Sequence, residues 1–167
     1  MFDTDEYVVY GNKGVCLVTD ITQMDMPGSP KGRLYYVLEP IQNQASKVYL
    51  PVDNDKVVIR SIMTSDEAAA LLKSIPEVEQ LVVADEKKRE VCYKEALRSC
   101  SGRLWISMLK TLYVRRRERI SMGKKITALD EKYLRATEHE LIDELSLSLG
   151  ITQEEAEGYL QEHLEQV

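Results

Sequence analysis

Val57-Val58-Ile59-Arg60-Ser61-Ile62-Met63-Thr64-Ser65-Asp66-Glu67-Ala68 is where the chain changes its periodicity. Up to Ile62 the residues are β-branched and short-period, as strands require. Thr64 then stands three residues before Glu67, the spacing of a capping box. In that motif the hydroxyl and the carboxylate each satisfy a backbone N–H at a helix start. Ala68 to Ile75 continue as a helix that Pro76 ends. The switch predicts an α+β protein, with a β domain over residues 1–62 followed by an all-α domain over residues 64–167.

Working back from the switch, Tyr7-Val8-Val9-Tyr10 is a β-prone run that stops at the turn signal Gly11-Asn12-Lys13-Gly14. Val15 to Ile21 forms a second strand, and the Pro- and Gly-rich stretch Asp25 to Gly32 breaks it off. Leu34 to Leu38, stopped by Pro40, is a third strand. Lys47 to Val52 and Val57 to Arg60 supply the fourth and fifth. Five short strands so spaced predict a small five-stranded β-barrel, filled by its own side chains and without a ligand cavity.

Working forward, Asp85 caps a helix expected to run to about Ser99, and Ser101-Gly102 punctuates it. Leu104, Trp105, Met108, Leu109, Leu112 and Tyr113 form one amphipathic stripe, which assigns Trp105, the single tryptophan, to the core. Thr127-Ala128-Leu129-Asp130 opens a further helix with an apolar face of Leu134, Leu141, Ile142, Leu145 and Leu149, closed by Gly150. Thr152-Gln153-Glu154-Glu155 caps a last helix through Leu160 and Leu164.

The net charge of −6 hides a segregation. Residues 1–84 carry 7 basic and 12 acidic residues, residues 85–125 carry 13 and 5, and residues 126–167 carry 2 and 11. The middle segment suggests a polyanion partner, although it could also serve to neutralise the acidic helices after it. An antiparallel pair of helices would bring Lys87, Lys88 and Arg89 beside Arg115 to Arg119, a patch suited to phosphates rather than to base sequence.

Residues for chemistry are sparse. The two histidines, His139 and His163, stand in acidic helices, and no metal, nucleotide or paired-cysteine motif occurs. Glu138, Glu140 and Glu144 with His139 have ligand-like spacing but read as a solvated face, and Cys16, Cys92 and Cys100 read as packed thiols. No enzyme, metal or cofactor is expected. No apolar run approaches the ~20 residues of a membrane span. The acidic start Met1-Phe2-Asp3-Thr4-Asp5-Glu6 is unlike a signal peptide, so a cytoplasmic protein is expected.

Asp5-Glu6-Tyr7-Val8-Val9-Tyr10, Gly14-Val15, Val18, Ile21, Tyr35-Tyr36-Val37-Leu38 and Val48-Tyr49-Leu50-Pro51-Val52 together resemble the CarD family of bacterial transcription regulators. They also resemble the RNA polymerase-interacting domain of the transcription–repair coupling factor. Tyr93-Lys94, Ser101-Gly102, Leu112-Tyr113, Arg115, Glu118-Arg119 and Ser121-x-Gly123-x-Lys125 extend the CarD resemblance, which covers about residues 1–148. It implies a Tudor-like β domain that binds the polymerase β subunit, with Met24, Lys47 and Tyr49 as the docking residues. It implies a helical domain at the upstream edge of the transcription bubble. Lys94, Arg115 and Lys125 match basic positions of the family. With Arg89, Arg103 and Arg119 they form the expected set of contacts to the promoter DNA backbone, acting on open-complex stability. In the family a tryptophan near the start of the first long helix of this domain wedges into the minor groove. The corresponding residues here, Asp85 to Arg89, include no aromatic residue. The alternative is a polymerase-binding adaptor without productive DNA contact. A monomer is expected.

Overall fold

The computed structural model describes every residue except Asn12 and Val167. The chain divides into two compact units, Met1–Ile62 and Met63–Val167. The architecture is α+β, with all strands in the first unit and all helices in the second.

The first unit is a five-stranded antiparallel sheet of β1 (Tyr7–Tyr10), β2 (Gly14–Gln23), β3 (Leu34–Pro40), β4 (Val48–Pro51) and β5 (Ile59–Ser61). Its spatial order is β4-β3-β2-β1-β5. Gly14 enters β2 at φ 75°, a backbone conformation that favours glycine. A register shift between Val18 and Asp20 marks a bulge, which bends β2 across its length. Alternate residues Val8, Tyr10, Cys16, Val18, Tyr36, Leu38 and Leu50 form one core. Val48 and Val52 from one end of the sheet and Val57 and Ile59 from the other pack on that same core. The sheet is therefore curled, but the expected barrel is not closed: β4 and β5 are its two ends. With three residues in β5 and four in β4, the end strands are too short to complete a ring of hydrogen bonds. β3 runs past the expected Leu38, and Pro40 is its last residue, opposite Cys16.

The second unit contains α1 (Ser65–Ser74), α2 (Arg89–Arg98), α3 (Gly102–Ser121), α4 (Ala128–Leu149) and α5 (Gln153–Glu165). The Thr64 hydroxyl accepts from the Glu67 N–H and the Glu67 carboxylate accepts from the Thr64 N–H, so the capping box forms in full. Ser101, Thr127 and Thr152 cap α3, α4 and α5 through their hydroxyls. Gly102 is a close-approach position: a Cβ there would lie 2.8 Å from Leu71 Cδ2. Trp105 is buried beside Met108, Leu109 and Leu112 on the stripe, and its indole N–H donates to the Leu97 carbonyl at 3.1 Å.

Lys110 and Glu144 are among the charged residues that lie in the interior. Lys110 is 5% exposed, and its ammonium donates to the carbonyls of Ile75 and Val78, each at 2.5 Å. Ser107 donates to the Glu79 carbonyl, and Thr111 accepts from the Leu81 N–H. These three α3 side chains thus bind residues 75–81 of the connector between α1 and α2. Glu144, expected to face solvent, is fully buried and accepts from the Met63 N–H at 2.8 Å.

Glu140 is a cost to the fold. Burial, followed by the carboxylates of Asp143 and Glu144, pushes its carboxyl up to about 7. One of its oxygens is buried without a hydrogen-bond partner. A carboxyl whose proton is held more tightly in the folded chain stabilises that chain as pH falls from above 7 towards 4.5. Glu140→Gln is expected to raise stability at pH 8 by on the order of 2 kcal/mol and to flatten the profile between pH 5 and pH 8. Urea midpoints at the two pH values measure this, and an unchanged pH profile would refute it.

Candidate functional site

The first candidate surface is the free side of β4. Val52 donates its N–H to the Leu34 carbonyl at 3.0 Å. By the alternation of antiparallel ladders, the pairs Tyr36–Leu50 and Leu38–Val48 are then hydrogen-bonded, and Val37–Tyr49 is not. The N–H and C=O of Tyr49 therefore point away from β3, on the side where β4 has no neighbouring strand. The Tyr49 side chain is 41% exposed, whereas Leu50 next to it is buried. Lys47 precedes β4 and is exposed, two residues from Tyr49 and so on the same side of the strand. Met24, expected on the second strand, lies one residue beyond β2 and donates its N–H to Arg33. Opposite Arg33 rather than Glu39, it sits about 20 Å along β3 from the level of Lys47. The structure thus brings Lys47 and Tyr49 together on β4 and leaves Met24 at the end of β2, with β3 between it and that edge.

The second candidate surface lies where the start of α2, the second half of α3 and the start of α4 meet. Its centre is Asp130, completely buried in the first turn of α4. One carboxylate oxygen accepts from Arg115 Nε at 2.7 Å and the other from the Tyr93 hydroxyl at 2.9 Å. Tyr93 also accepts from Arg89 Nη1 at 3.1 Å. Arg89 is buried, and its Nε and Nη2 grip Glu86 in a bidentate pair at 2.8 and 2.6 Å. The Glu86 partner is the main reason the Arg89 guanidinium is held more strongly in its charged form.

Of the six expected DNA contacts, Arg89 and Arg115 are therefore joined through one network. Arg89 has its guanidinium turned inward. Arg115 spends Nε on Asp130 but remains part-exposed. Lys94 lies one helical turn beyond Glu90, 3.7 Å from its carboxylate. Glu90 also accepts from the Tyr133 hydroxyl, and Tyr133 packs on Tyr93 with centroids 5.3 Å apart, which places Lys94 beside the network. Arg119 and Lys125 stand together, Arg119 Nε donating to the Lys125 carbonyl at 2.6 Å. Arg103 is apart. It lies in the first turn of α3, beside a cleft floored by Val78, Leu81 and Ser107, about 24 Å along the helix from Arg119.

Exposed cations that fill out the surface are Lys87 and Lys88 at the start of α2, Arg117 on α3, and Lys124 in the turn before α4. The sequence marked these by charge alone. It did not mark the joining of Tyr93, Arg115 and Asp130, which needs three elements distant in sequence. The only signal was Asp130 at the third helical position after Thr127, which also fits an ordinary helix start.

Comparison with protein families matches residues 2–63 to the CarD-like/TRCF RID domain. No curated protein matches the chain.

Proposed function

On the premise that the first unit is a CarD-like/TRCF RID domain, which ties the chain to RNA polymerase and to transcription, we propose that this protein is a regulator of transcription initiation that acts by binding rather than catalysis. In this reading the domain is Tudor-like and adds a strand of the polymerase β subunit to the free side of β4, with Tyr49 and Lys47 fixing register. Met24, at the end of β2 with β3 between, stands apart from that edge. The observation that carries the reading is the free hydrogen-bonding edge of β4 within the matched residues. The second unit then meets promoter DNA at the upstream edge of the bubble and modulates open-complex stability. Phosphate contacts fall to Lys94, Arg115, Arg119 and Lys125, with Lys87, Lys88 and Lys124 beside them. Arg89 holds the start of α2 in place through Glu86 and Tyr93, and Arg103, in the first turn of α3, is left out of the contact in this reading.

Each phosphate neutralised on duplex DNA adds about 0.9 to the magnitude of the log–log salt slope, so a few contacts bind weakly unless polymerase supplies the local concentration. Open-complex lifetime measured against salt, with holoenzyme and promoter, tests this. Lys124→Ala with Lys125→Ala is expected to lower the slope by roughly 2 and to shorten the lifetime. Arg103→Ala is expected to leave both unchanged. If the charge variant matches the parent while polymerase binding persists, the protein is an adaptor without productive DNA contact.

A further inference from the structure

We infer that Arg89 and Arg115 form a phosphate-binding site in which the Glu86 carboxylate is the resident anion, displaced when a phosphate arrives. The inference rests on the DNA-contact reading above and gives Arg89 a second role in it, one that only the release of Glu86 opens. Both guanidiniums are anchored by the same two buried side chains. Asp130 accepts from Arg115 Nε and from the Tyr93 hydroxyl, and that hydroxyl accepts from Arg89 Nη1. Arg115 Nη1 and Nη2 have no hydrogen-bond partner among the described residues. Arg89 offers its Nε and Nη2 edge, which takes two oxygens of a carboxylate or a phosphate at once, and Glu86 fills it at 2.8 and 2.6 Å. The two partners differ in burial: the Arg89 side chain is 10% exposed and that of Glu86 is 71% exposed. The cation is built into the fold, while the carboxylate that closes it stands in solvent.

Glu86 answers to both arginines. The hydrogen bonds from Arg89, and then the charges of Arg89 and Arg115, hold its carboxyl below the usual range. A buried guanidinium left unpaired is costly, so Glu86 leaves only in exchange for another anion. Tethering decides which anion that is. Glu86 is three residues from Arg89 on the same chain, so a solitary anion competes with it poorly. A duplex whose neighbouring phosphates are held by Lys94 and by the exposed Lys87 and Lys88 arrives tethered as well. Its phosphate oxygens match the Arg89 edge and the unspent Nη groups of Arg115. Glu86 therefore acts as a filter: it keeps the site shut to small anions and yields it to a backbone phosphate already held on either side.

The test uses the full chain with polymerase holoenzyme and promoter, and the full chain with inorganic phosphate. Glu86→Gln keeps the shape of the side chain and removes its charge. It is expected to add about 0.9, one further phosphate, to the magnitude of the log–log salt slope of open-complex lifetime. It is also expected to bind inorganic phosphate about tenfold more tightly than the parent. Asp85→Asn removes the same charge one residue away, from a carboxylate that accepts from the Lys87 N–H, and is expected to change neither value. Glu86→Gln with Arg89→Lys keeps a cation but loses the fork, and is expected to return to the parent's values. An equal gain by Asp85→Asn would be an effect of net charge and would overturn the inference. So would parent-like values for Glu86→Gln on both probes while Lys124→Ala with Lys125→Ala is impaired; the phosphate contacts then stand, and the Glu86–Arg89 pair only anchors α2. If the lysine variant also behaves as the parent, the DNA-contact reading falls with it. A gain on inorganic phosphate with an unchanged salt slope upholds the site and assigns it to a small phosphorylated ligand in place of DNA.

Discussion

Replacing Asp130 by alanine is expected to lower the unfolding free energy of the helical unit by about 3 kcal/mol, the largest loss from any single charged side chain described here. Asp130 is fully buried and is the shared acceptor of Arg115 and Tyr93. Removing it strands a phenol in the interior and a guanidinium that can only partly recover solvent, since Arg115 keeps 30% of its side-chain exposure. The loss therefore falls short of that for a fully enclosed pair. Asp130→Asn keeps an acceptor oxygen and is expected to lose less than half as much. In the double variant Arg115→Ala with Asp130→Ala, part of the loss is expected to return, because no unpaired charge remains. Urea unfolding of the parent, Asp130→Ala, Arg115→Ala and the double variant measures the coupling. Strictly additive losses would show that the pair is not an energetic unit.

That network also marks where sequence reading stopped. The helical half was legible in its elements because the information is local. Thr64 and Glu67 form their capping box, Trp105 packs on the stripe its spacing assigned, and Gly150 closes α4 in the left-handed conformation. The cationic surface was legible only as a total. Arg89 and Lys110 look the same in a charge count as Lys87 and Lys124, yet the first two point inward. Their direction depends on Tyr93 and Asp130 for Arg89, and on the carbonyls of Ile75 and Val78 for Lys110. Glu144 shows the same limit from the acidic side: helical spacing placed it on a solvated face, and the backbone N–H of Met63 draws it inside. In the β half the strands were legible from alternation, but closure of a barrel depends on the lengths of the end strands.

Tyr49→Pro is expected to weaken polymerase binding at least about 100-fold while leaving the sheet intact. Proline is tolerated on an edge strand where the lost N–H faces outward, and Tyr49 has that orientation because its pairing with Val37 is the non-hydrogen-bonded kind. Val48 is already extended, as the residue before a proline requires. The substitution therefore removes the donor offered to an incoming strand without touching the ladder to β3. Tyr49→Phe keeps the donor and the ring and is expected to bind as the parent does. Lys47→Glu with Tyr49→Ala tests the side chains instead of the backbone. Binding isotherms with polymerase, alongside far-ultraviolet circular dichroism, decide the matter. Undiminished binding by Tyr49→Pro would rule out strand addition at β4.

The connector between α1 and α2 carries a consequence for how the protein resists digestion. Residues 79–84 form neither strand nor helix, and Val82 is 83% exposed, so by sequence and exposure the segment is a natural cleavage point. Yet a protease must draw an extended stretch of chain into its cleft, and here the stretch is tied to α3 at Glu79 by Ser107 and at Leu81 by Thr111, with Lys110 holding the carbonyls of Ile75 and Val78 just before it. Drawing it out means breaking the bonds at Glu79 and Leu81 and pulling on the neighbouring Val78 carbonyl, which holds the buried Lys110 ammonium. The amide proton of Leu81, bound to a threonine hydroxyl outside any helix or sheet, should therefore exchange with solvent as slowly as those in the middle of α3.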